Sequence, residues 1–320
     1  MQTVDVSIIF PVRNLENELP SILEHIVKQT GSFTFELLIV DMGSEDATVA
    51  TSLRVIHHLG ISGYVVQNGK GSPADALNSG LQRAKGKYVT FIFARRLYRD
   101  VLESYWSTAE LTGADIVFGS TSQIDSRLAE RQAISRVVKK KSGTDYMQAC
   151  FEGKLYIDMA SLLLRRQFLL EHQLWFTADC RYGYAEEFVC RCLMRAQEVV
   201  QSPVLLERVP ELEWNAPEKE AAGRDVFQEI EAMLRVRDIL WCEHPDCEEL
   251  RELMDCQQLP RAVMHCIDIL LRNGLSASAV KSELKKRSYH ALLKTSKVTS
   301  SDLKKKIRDW KLPLHHYLVK

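Results

Sequence analysis

The chain has 320 residues, 46% hydrophobic and 26% charged, with 42 basic against 42 acidic side chains. A neutral balance supplies no global field for nucleic acid, and the apolar content suffices for a sizeable core, so the sequence reads as one large α/β domain with an appendage. Its start, Met1-Gln2-Thr3-Val4-Asp5, lacks the basic opening and apolar run of a signal peptide, and its longest apolar runs are strand-length, far short of the ~20 residues of a spanning helix; the expectation is a cytosolic protein.

Val6 to Val12 is a β-branched, apolar run and predicts a buried strand. Glu18 to Gln29 follows as an amphipathic helix with Leu19, Ile22, Leu23 and Ile26 on one face. Phe35 to Val40 is a second strand, ending in the turn-rich Asp41-Met42-Gly43-Ser44-Glu45-Asp46. A helix over Thr48 to Leu59, a strand over Gly63 to Gln67, a helix over Ser72 to Lys85, and strands over Tyr88 to Phe93 and Ala114 to Phe118 continue the alternation. Further on, Leu155 to Leu164 reads as a strand entering a helix, Glu186 to Ala196 as a helix and Val204 to Val209 as a last strand. After Asn215-Ala216-Pro217 the pattern turns helical over Arg224 to Cys242, Cys247 to Cys256, Leu259 to Leu271 and Ala277 to Lys286. The expected organisation is residues 1–215 as an α/β domain and 220–320 as a helical region with a basic tail. Alternating strands and helices predict a mainly parallel sheet flanked by helices, in which ligands sit at the carboxyl ends of the strands near a reversal of strand order. The loops at Pro11–Asn14, Asp41–Asp46 and Phe93–Arg96 all leave such ends.

Four blocks in order carry a resemblance. Val6-Ser7-Ile8-Ile9-Phe10-Pro11-Val12-Arg13-Asn14 is similar to the first-strand signature of family 2 glycosyltransferases, which ends in Pro-Val-Tyr-Asn. Leu38-Ile39-Val40-Asp41-Met42-Gly43-Ser44-Glu45-Asp46-Ala47-Thr48 resembles the second signature, Asp-Asp-Gly-Ser-x-Asp-x-Thr after an apolar run. Asn78-Ser79-Gly80, then Ala84-Lys85-Gly86-Lys87-Tyr88, matches the third block, and Tyr184-Ala185-Glu186-Glu187-Phe188 with Arg191 looks like the family's late Glu-Asp block. The resemblance implies a nucleotide-diphospho-sugar-binding GT-A fold. It implies nucleoside contacts from Pro11, Val12, Asn14, Asp41, Gly43 and Ser44. It also implies catalytic carboxylates at Glu186 and Glu187, with Glu187 as general base. Arg191, one turn later, is placed either to fix a carboxylate or simply to form an i, i+4 pair with Glu187. The bland reading of Asp41 to Ser44 is a turn capping the next helix, and that of the two glutamates a solvated first helical turn.

The departures from the pattern are Arg13 for Tyr, Met42 for the second Asp, and above all Phe93-Ala94-Arg95-Arg96 where the family has Asp-x-Asp-Asp. In the family that acidic motif holds Mg²⁺ or Mn²⁺ against the diphosphate. Arginines cannot ligate a cation but form bidentate bonds to phosphate, so Arg95 and Arg96 are candidates to hold the diphosphate themselves, with no metal and no confident cofactor. The resemblance therefore implies a transferase moving sugar from a nucleotide donor, with UDP the expected nucleotide, to a glycan or lipid-linked acceptor, as in polysaccharide or capsule synthesis, by inversion. The alternative is a catalytically inactive relative that partners an active transferase. A nucleotidyltransferase ranks last, because no Gly-Gly-x-Gly-x-Arg loop follows the first strand.

Eight cysteines and nine histidines show no zinc or triad spacing; the densest group, Cys242-Glu243-His244-Pro245-Asp246-Cys247, fits no common ligand pattern. From Ser276 to Lys320, twelve Lys/Arg face three Asp/Glu, and Trp310, Leu312, Leu314 and Tyr317 follow the last basic cluster. That stretch is either a solvated face of a helical subdomain or a peripheral contact for the inner membrane face.

Overall fold

The computed structural model describes residues 4–94, 97–121, 140–206 and 224–312. It divides into two compact units: Met1–Tyr146, Leu155–Cys180 and Arg191–Pro217 form one, and Met147–Lys154, Arg181–Cys190 and Glu218–Lys320 the other. A single cut near residue 215 thus omits two short segments that cluster with the helical unit.

The first unit is built on β1 (Val6–Val12), β2 (Phe35–Asp41), β3 (Gly63–Gln67), β4 (Tyr88–Phe91), β5 (Ile116–Thr121), β6 (Lys140–Lys141), β7 (Leu162–Arg165) and β8 (Val199–Leu206). They form one sheet in the order β3-β2-β1-β4-β7-β5-β8-β6. β1 pairs in parallel with β2 and β4, β2 with β3, and β5 with β8. β7 runs antiparallel between β4 and β5, and the short β6 runs antiparallel to β8. The mainly parallel α/β sheet expected from the alternation is present. β8 starts at Val199, five residues before the predicted strand, and carries Pro203 inside it. The β5–β8 register shifts between Phe118 and Ser120, opposite that proline, so the missing donor falls where the ladder is already irregular.

All seven residues of β1 are buried, because both faces are covered. Ile8, Phe10 and Val12 join one cluster with α1 (Leu19–Lys28), α2 (Thr48–His58) and α4 (Leu102–Thr112). Ile9, on the opposite face, receives α3 (Pro73–Arg83). The third sequence block is what lets these parts meet. A Cβ on Gly80 would lie 2.5 Å from Ile9 Cγ2, and one on Gly86 2.5 Å from the Ser7 amide nitrogen. Ser7 Oγ donates to Glu36 Oε1 (2.6 Å) and accepts from the Gly86 amide (2.8 Å), while the Lys85 amide donates to Glu36 Oε1 (2.7 Å). This knot satisfies a carboxylate that is only 5% exposed. α3 starts as predicted, with Ser72 and Asp75 forming a reciprocal capping box and Pro73 at the first helical position.

Further along come α5 (Gly143–Phe151), α6 (Arg166–Glu171) and α7 (Tyr184–Arg195). The second unit adds α8 (Gln228–Glu243), α9 (Glu248–Leu253), α10 (Leu259–Arg272), α11 (Ala277–Lys286) and α12 (Ser301–Lys311). α9 and α10 do not separate at Pro260 as the sequence suggests. Met254–Gln258 forms a π-helical turn between them, with the Leu259 amide donating to the Met254 carbonyl. That wider turn carries the chain past a proline that cannot donate. Trp310 is 4% exposed and lies beneath Lys281, whose ammonium sits 5.1 Å from the ring centroid. It is a core side chain of the helical unit and cannot serve as the membrane anchor that the basic tail suggested; Leu314 and Tyr317 lie outside the described residues. Among the described residues no helix is long and apolar enough to cross a membrane.

Candidate active site

In the sheet order, β1 lies between β2 and β4, so strand order reverses there and the crevice beyond their carboxyl ends is the expected ligand position. The loops leaving β1 and β2 are bonded to each other at that end. Met42 N donates to Val12 O (2.9 Å), Asn14 N to Ser44 Oγ (2.9 Å), and Glu45 N to Asn14 Oδ1 (2.8 Å). Leu15 N donates to Thr48 Oγ1 (2.7 Å), Glu16 N to Asp46 Oδ2 (3.2 Å) and Ala47 N to Glu16 Oε2 (3.1 Å). Asn14 takes φ +50°, a backbone conformation Asn tolerates better than most residues.

The six residues expected to face a nucleoside are therefore assembled in one place. Pro11 and Val12 are buried, and the Val12 carbonyl already accepts from Met42 N. Asp41 is 4% exposed, and its carboxylate accepts from Gly43 N (3.1 Å) and Ser44 N (3.2 Å). Asp41 thus closes a turn, as the sequence suggested, but it does not cap α2, where Thr48 N donates to Asp46 Oδ1 instead; any ligand contact of Asp41 uses the oxygen lone pairs that remain. Gly43 has φ +77°, and a Cβ there would lie 3.1 Å from Lys70 N. Its close neighbour is therefore the loop after β3. Lys70 from that loop pairs with Glu45 (2.7 Å), holding the Glu45 carboxyl below its ordinary pKa. The sequence reading passed over Lys70, although the Asn68-Gly69-Lys70-Gly71 turn signal at a strand end pointed to it.

Arg95 and Arg96 lie outside the described residues, but both ends of their loop are fixed. Ile92 N donates to Ile9 O (3.0 Å). Beyond the arginines, Leu97, Tyr98, Val101 and Leu102 are buried. Gln29 donates to Tyr98 O (2.8 Å) and accepts from Val101 N (3.1 Å), and Tyr98 Oη donates to Asp158 Oδ2 (2.8 Å). Gln29 and Asp158 were not singled out in the sequence, since their partners lie 69 and 60 residues away. The loop's own residues provide no carboxylate, and among the described residues no group of three or more His, Cys, Asp or Glu could hold a metal ion. Phe93–Arg96 thus supplies none of the carboxylate oxygens that the family's acidic motif gives a divalent cation. The cysteine group around Cys242 falls under the same finding.

Glu186 and Glu187 lie in the first turn of α7, in the second unit. Glu186 is exposed, whereas Glu187 is 2% exposed and accepts two bonds from Arg235, Nε to Oε1 (2.9 Å) and Nη2 to Oε2 (2.6 Å). Arg191 does not make the expected bond to Glu187; its Nη1 donates to Trp175 O (2.8 Å).

Comparison with known proteins agrees with this architecture. The model for "Glycosyl transferase family 2" matches residues 7–174, more than half the chain. Two curated relatives come from Streptococcus pneumoniae serotype 4 (strain ATCC BAA-334 / TIGR4). Glycosyltransferase GlyG is 29% identical over 125 residues, covering 36% of this chain and 38% of its own, and Glycosyltransferase GlyA is 31% identical over 118 residues, covering 36% and 16%. The chain thus spans well under half the length of these relatives. Among solved structures, S. aureus TarS 1-349 in complex with UDP-GlcNAc superposes with a TM-score of 0.61 at 14% identity, covering 95% of this chain and 90% of that one. Mannosyltransferase PcManGT from Pyrobaculum calidifontis, in complex with GDP-Man and Mn²⁺, gives 0.53 at 16% identity, covering 97% and 85%. The sheet order, the strand-end loops and the matched model agree: the chain belongs to glycosyl transferase family 2, with a GT-A-like sheet and additional C-terminal helices.

Proposed function

We propose that this protein transfers a sugar from a nucleotide-sugar donor, with UDP as the expected nucleotide, to a glycan or lipid-linked acceptor. Transfer proceeds by a single inverting displacement without a metal ion. Pro11, Val12, Asn14, Asp41, Gly43 and Ser44 contact the nucleoside, Arg95 and Arg96 hold the diphosphate, and a carboxylate of the Glu186–Glu187 pair takes the acceptor proton. The observation that carries the reading is the bonded pair of loops at the reversal of strand order, which presents Asp41 and the Asn14 backbone at one strand end. Solved proteins of similar fold bound UDP-GlcNAc or GDP-Man, which supports a nucleotide-sugar class of ligand. In place of a cation, the guanidinium groups stabilise the charge that develops on the leaving diphosphate.

Calorimetric titration of UDP, GDP and CDP, with and without EDTA, tests this. Binding should be insensitive to EDTA and abolished in Arg95→Ala/Arg96→Ala. A chain that binds none of the three overturns the metal-free reading. A second reading is a non-catalytic partner of an active transferase, favoured by the full engagement of Glu187 with Arg235. Nucleotide binding without release of nucleotide from any donor would support it.

A further inference from the structure

The chain between β4 and α4 carries Arg95 and Arg96, and what holds it on either side of them lies within the first unit. On one side, Ile92 N donates to Ile9 O (3.0 Å), and Thr90 Oγ1 donates to Leu162 O (2.7 Å), which ties β4 to the start of β7. On the other side the chain is buried at Leu97 and Tyr98, 5% and 4% exposed. Phe93 to Arg96 alone separate the two anchored stretches in sequence.

Tyr98 is held at its hydroxyl and at its carbonyl, by partners from two different elements. The hydroxyl donates to Asp158 Oδ2 (2.8 Å). Asp158 is 3% exposed and is itself fixed at the turn that leads into β7: its Oδ1 accepts from Ala160 N (3.0 Å) and its carbonyl from Ser161 Oγ (2.9 Å). The Tyr98 carbonyl accepts from Gln29 Nε2 (2.8 Å), and Gln29 Oε1 accepts from Val101 N (3.1 Å). One buried amide side chain from the end of α1 thus closes the stretch Tyr98–Val101 from both ends. Between those ends Asp100 takes φ +50°, a conformation that costs free energy and persists where the surroundings impose it. Leu97, Val101 and Leu102 already bury the stretch in the core. The polar bonds add direction to that burial, and they fix the backbone two residues from Arg96.

We propose that Tyr98 is a positioning residue for the two arginines. Held by Asp158 and Gln29, it fixes the backbone beside Arg96 before a diphosphate arrives. This rests on the reading above in which Arg95 and Arg96 hold the diphosphate. Bidentate bonding to phosphate needs the guanidinium fork in place, and a span anchored beforehand loses less conformational freedom on binding.

The test compares a nucleoside diphosphate with its own nucleoside, by calorimetry on the full chain, using whichever of UDP, GDP and CDP binds most tightly. Wild type should bind the diphosphate about 30-fold or more tightly than the nucleoside. Tyr98→Phe, which removes only the hydroxyl, should weaken the diphosphate about tenfold and the nucleoside less than about twofold, and Gln29→Leu should do the same. Asp158→Asn, which keeps one oxygen for the hydroxyl, should weaken the diphosphate less than Asp158→Ala. Ser7→Ala is the control. It breaks bonds to Glu36 and Gly86 near the start of β1, and should lower the urea midpoint yet leave the ratio of the two affinities unchanged. A ratio that stays at the wild-type value in Tyr98→Phe and Gln29→Leu, while Arg95→Ala/Arg96→Ala loses it, overturns the positioning role and leaves the diphosphate reading standing. Equal weakening of both ligands overturns it as well, because the bonds then serve the fold of the whole site. So does a ratio lost in Tyr98→Phe but kept in Arg95→Ala/Arg96→Ala, since Tyr98 would then act through other residues. A wild-type chain that binds neither ligand, or binds both equally, overturns the diphosphate reading and the positioning role with it.

Discussion

Asp41 shapes its own turn and is proposed to contact the nucleoside, and the two roles would differ in magnitude. Its carboxylate accepts from two backbone amides, Gly43 N at 3.1 Å and Ser44 N at 3.2 Å, in a setting only 4% exposed. Bonds to a charged acceptor contribute about 1.5–3 kcal/mol each and bonds to a neutral one about 0.5–1.5. Asp41→Asn keeps one acceptor that both amides can reach, so it should cost about 1–2 kcal/mol. Asp41→Ala leaves both amides without an acceptor and should cost about 2–4 kcal/mol. If Asp41 also accepts from the nucleoside, the alanine variant loses a further charged bond in the complex. UDP affinity should then fall about 10–100-fold, and the asparagine variant should lose about 5–10-fold. Glu16→Ala is the control. It removes the acceptor of the Ala47 amide in the same loop assembly without touching Asp41. Urea unfolding gives the stability terms and calorimetry the UDP affinities. If both Asp41 variants weaken UDP binding no more than Glu16→Ala, Asp41 is a turn former and its place among the binding residues is wrong.

Three further outcomes are expected. Gly80→Ala should lower stability by up to about 2 kcal/mol, since overpacking against Ile9 Cγ2 at 2.5 Å costs about 1–3 kcal/mol and the gain in helix propensity is about 1. Ile9→Val, which keeps Cγ2, should not rescue it, and UDP affinity should not change; rescue would disprove the contact. Asn78→Ala removes an acceptor for Phe176 N and a donor to Phe176 O, each at 2.9 Å, and should destabilise by about 1–3 kcal/mol in urea unfolding. His265 is bonded to Glu229 Oε2 at 2.7 Å, and this bond raises the imidazole pKa above its usual 6.5. A group whose folded pKa is raised contributes fully below its unfolded pKa and loses that contribution as pH rises through the folded one. Thermal stability should therefore decline as pH climbs from about 6.5 through the raised value. His265→Gln should flatten that decline in melts taken across the range, and an unchanged slope would show that the pair carries no linkage.

The alternation of apolar runs and amphipathic helices was sufficient to read β1 through β4 and α1 through α3, because each depends on a period that a short window contains. The blocks at Asp41 and Asn78 were legible for the same reason, as local turns and caps. Their work in the fold was not. Gly80 and Gly86 serve close packing against Ile9 and Ser7, seventy or more residues away in sequence. β7 could be read as a strand, but not as the antiparallel insertion between β4 and β5, since pairing direction is a property of two strands and not of one. The site divides along the same line. Composition alone showed that Arg95 and Arg96 cannot ligate a cation. That Glu187 is buried against Arg235, 48 residues on, and that Glu186 is the exposed member of the pair, was decided by tertiary structure, because burial and partner choice arise only when distant segments pack.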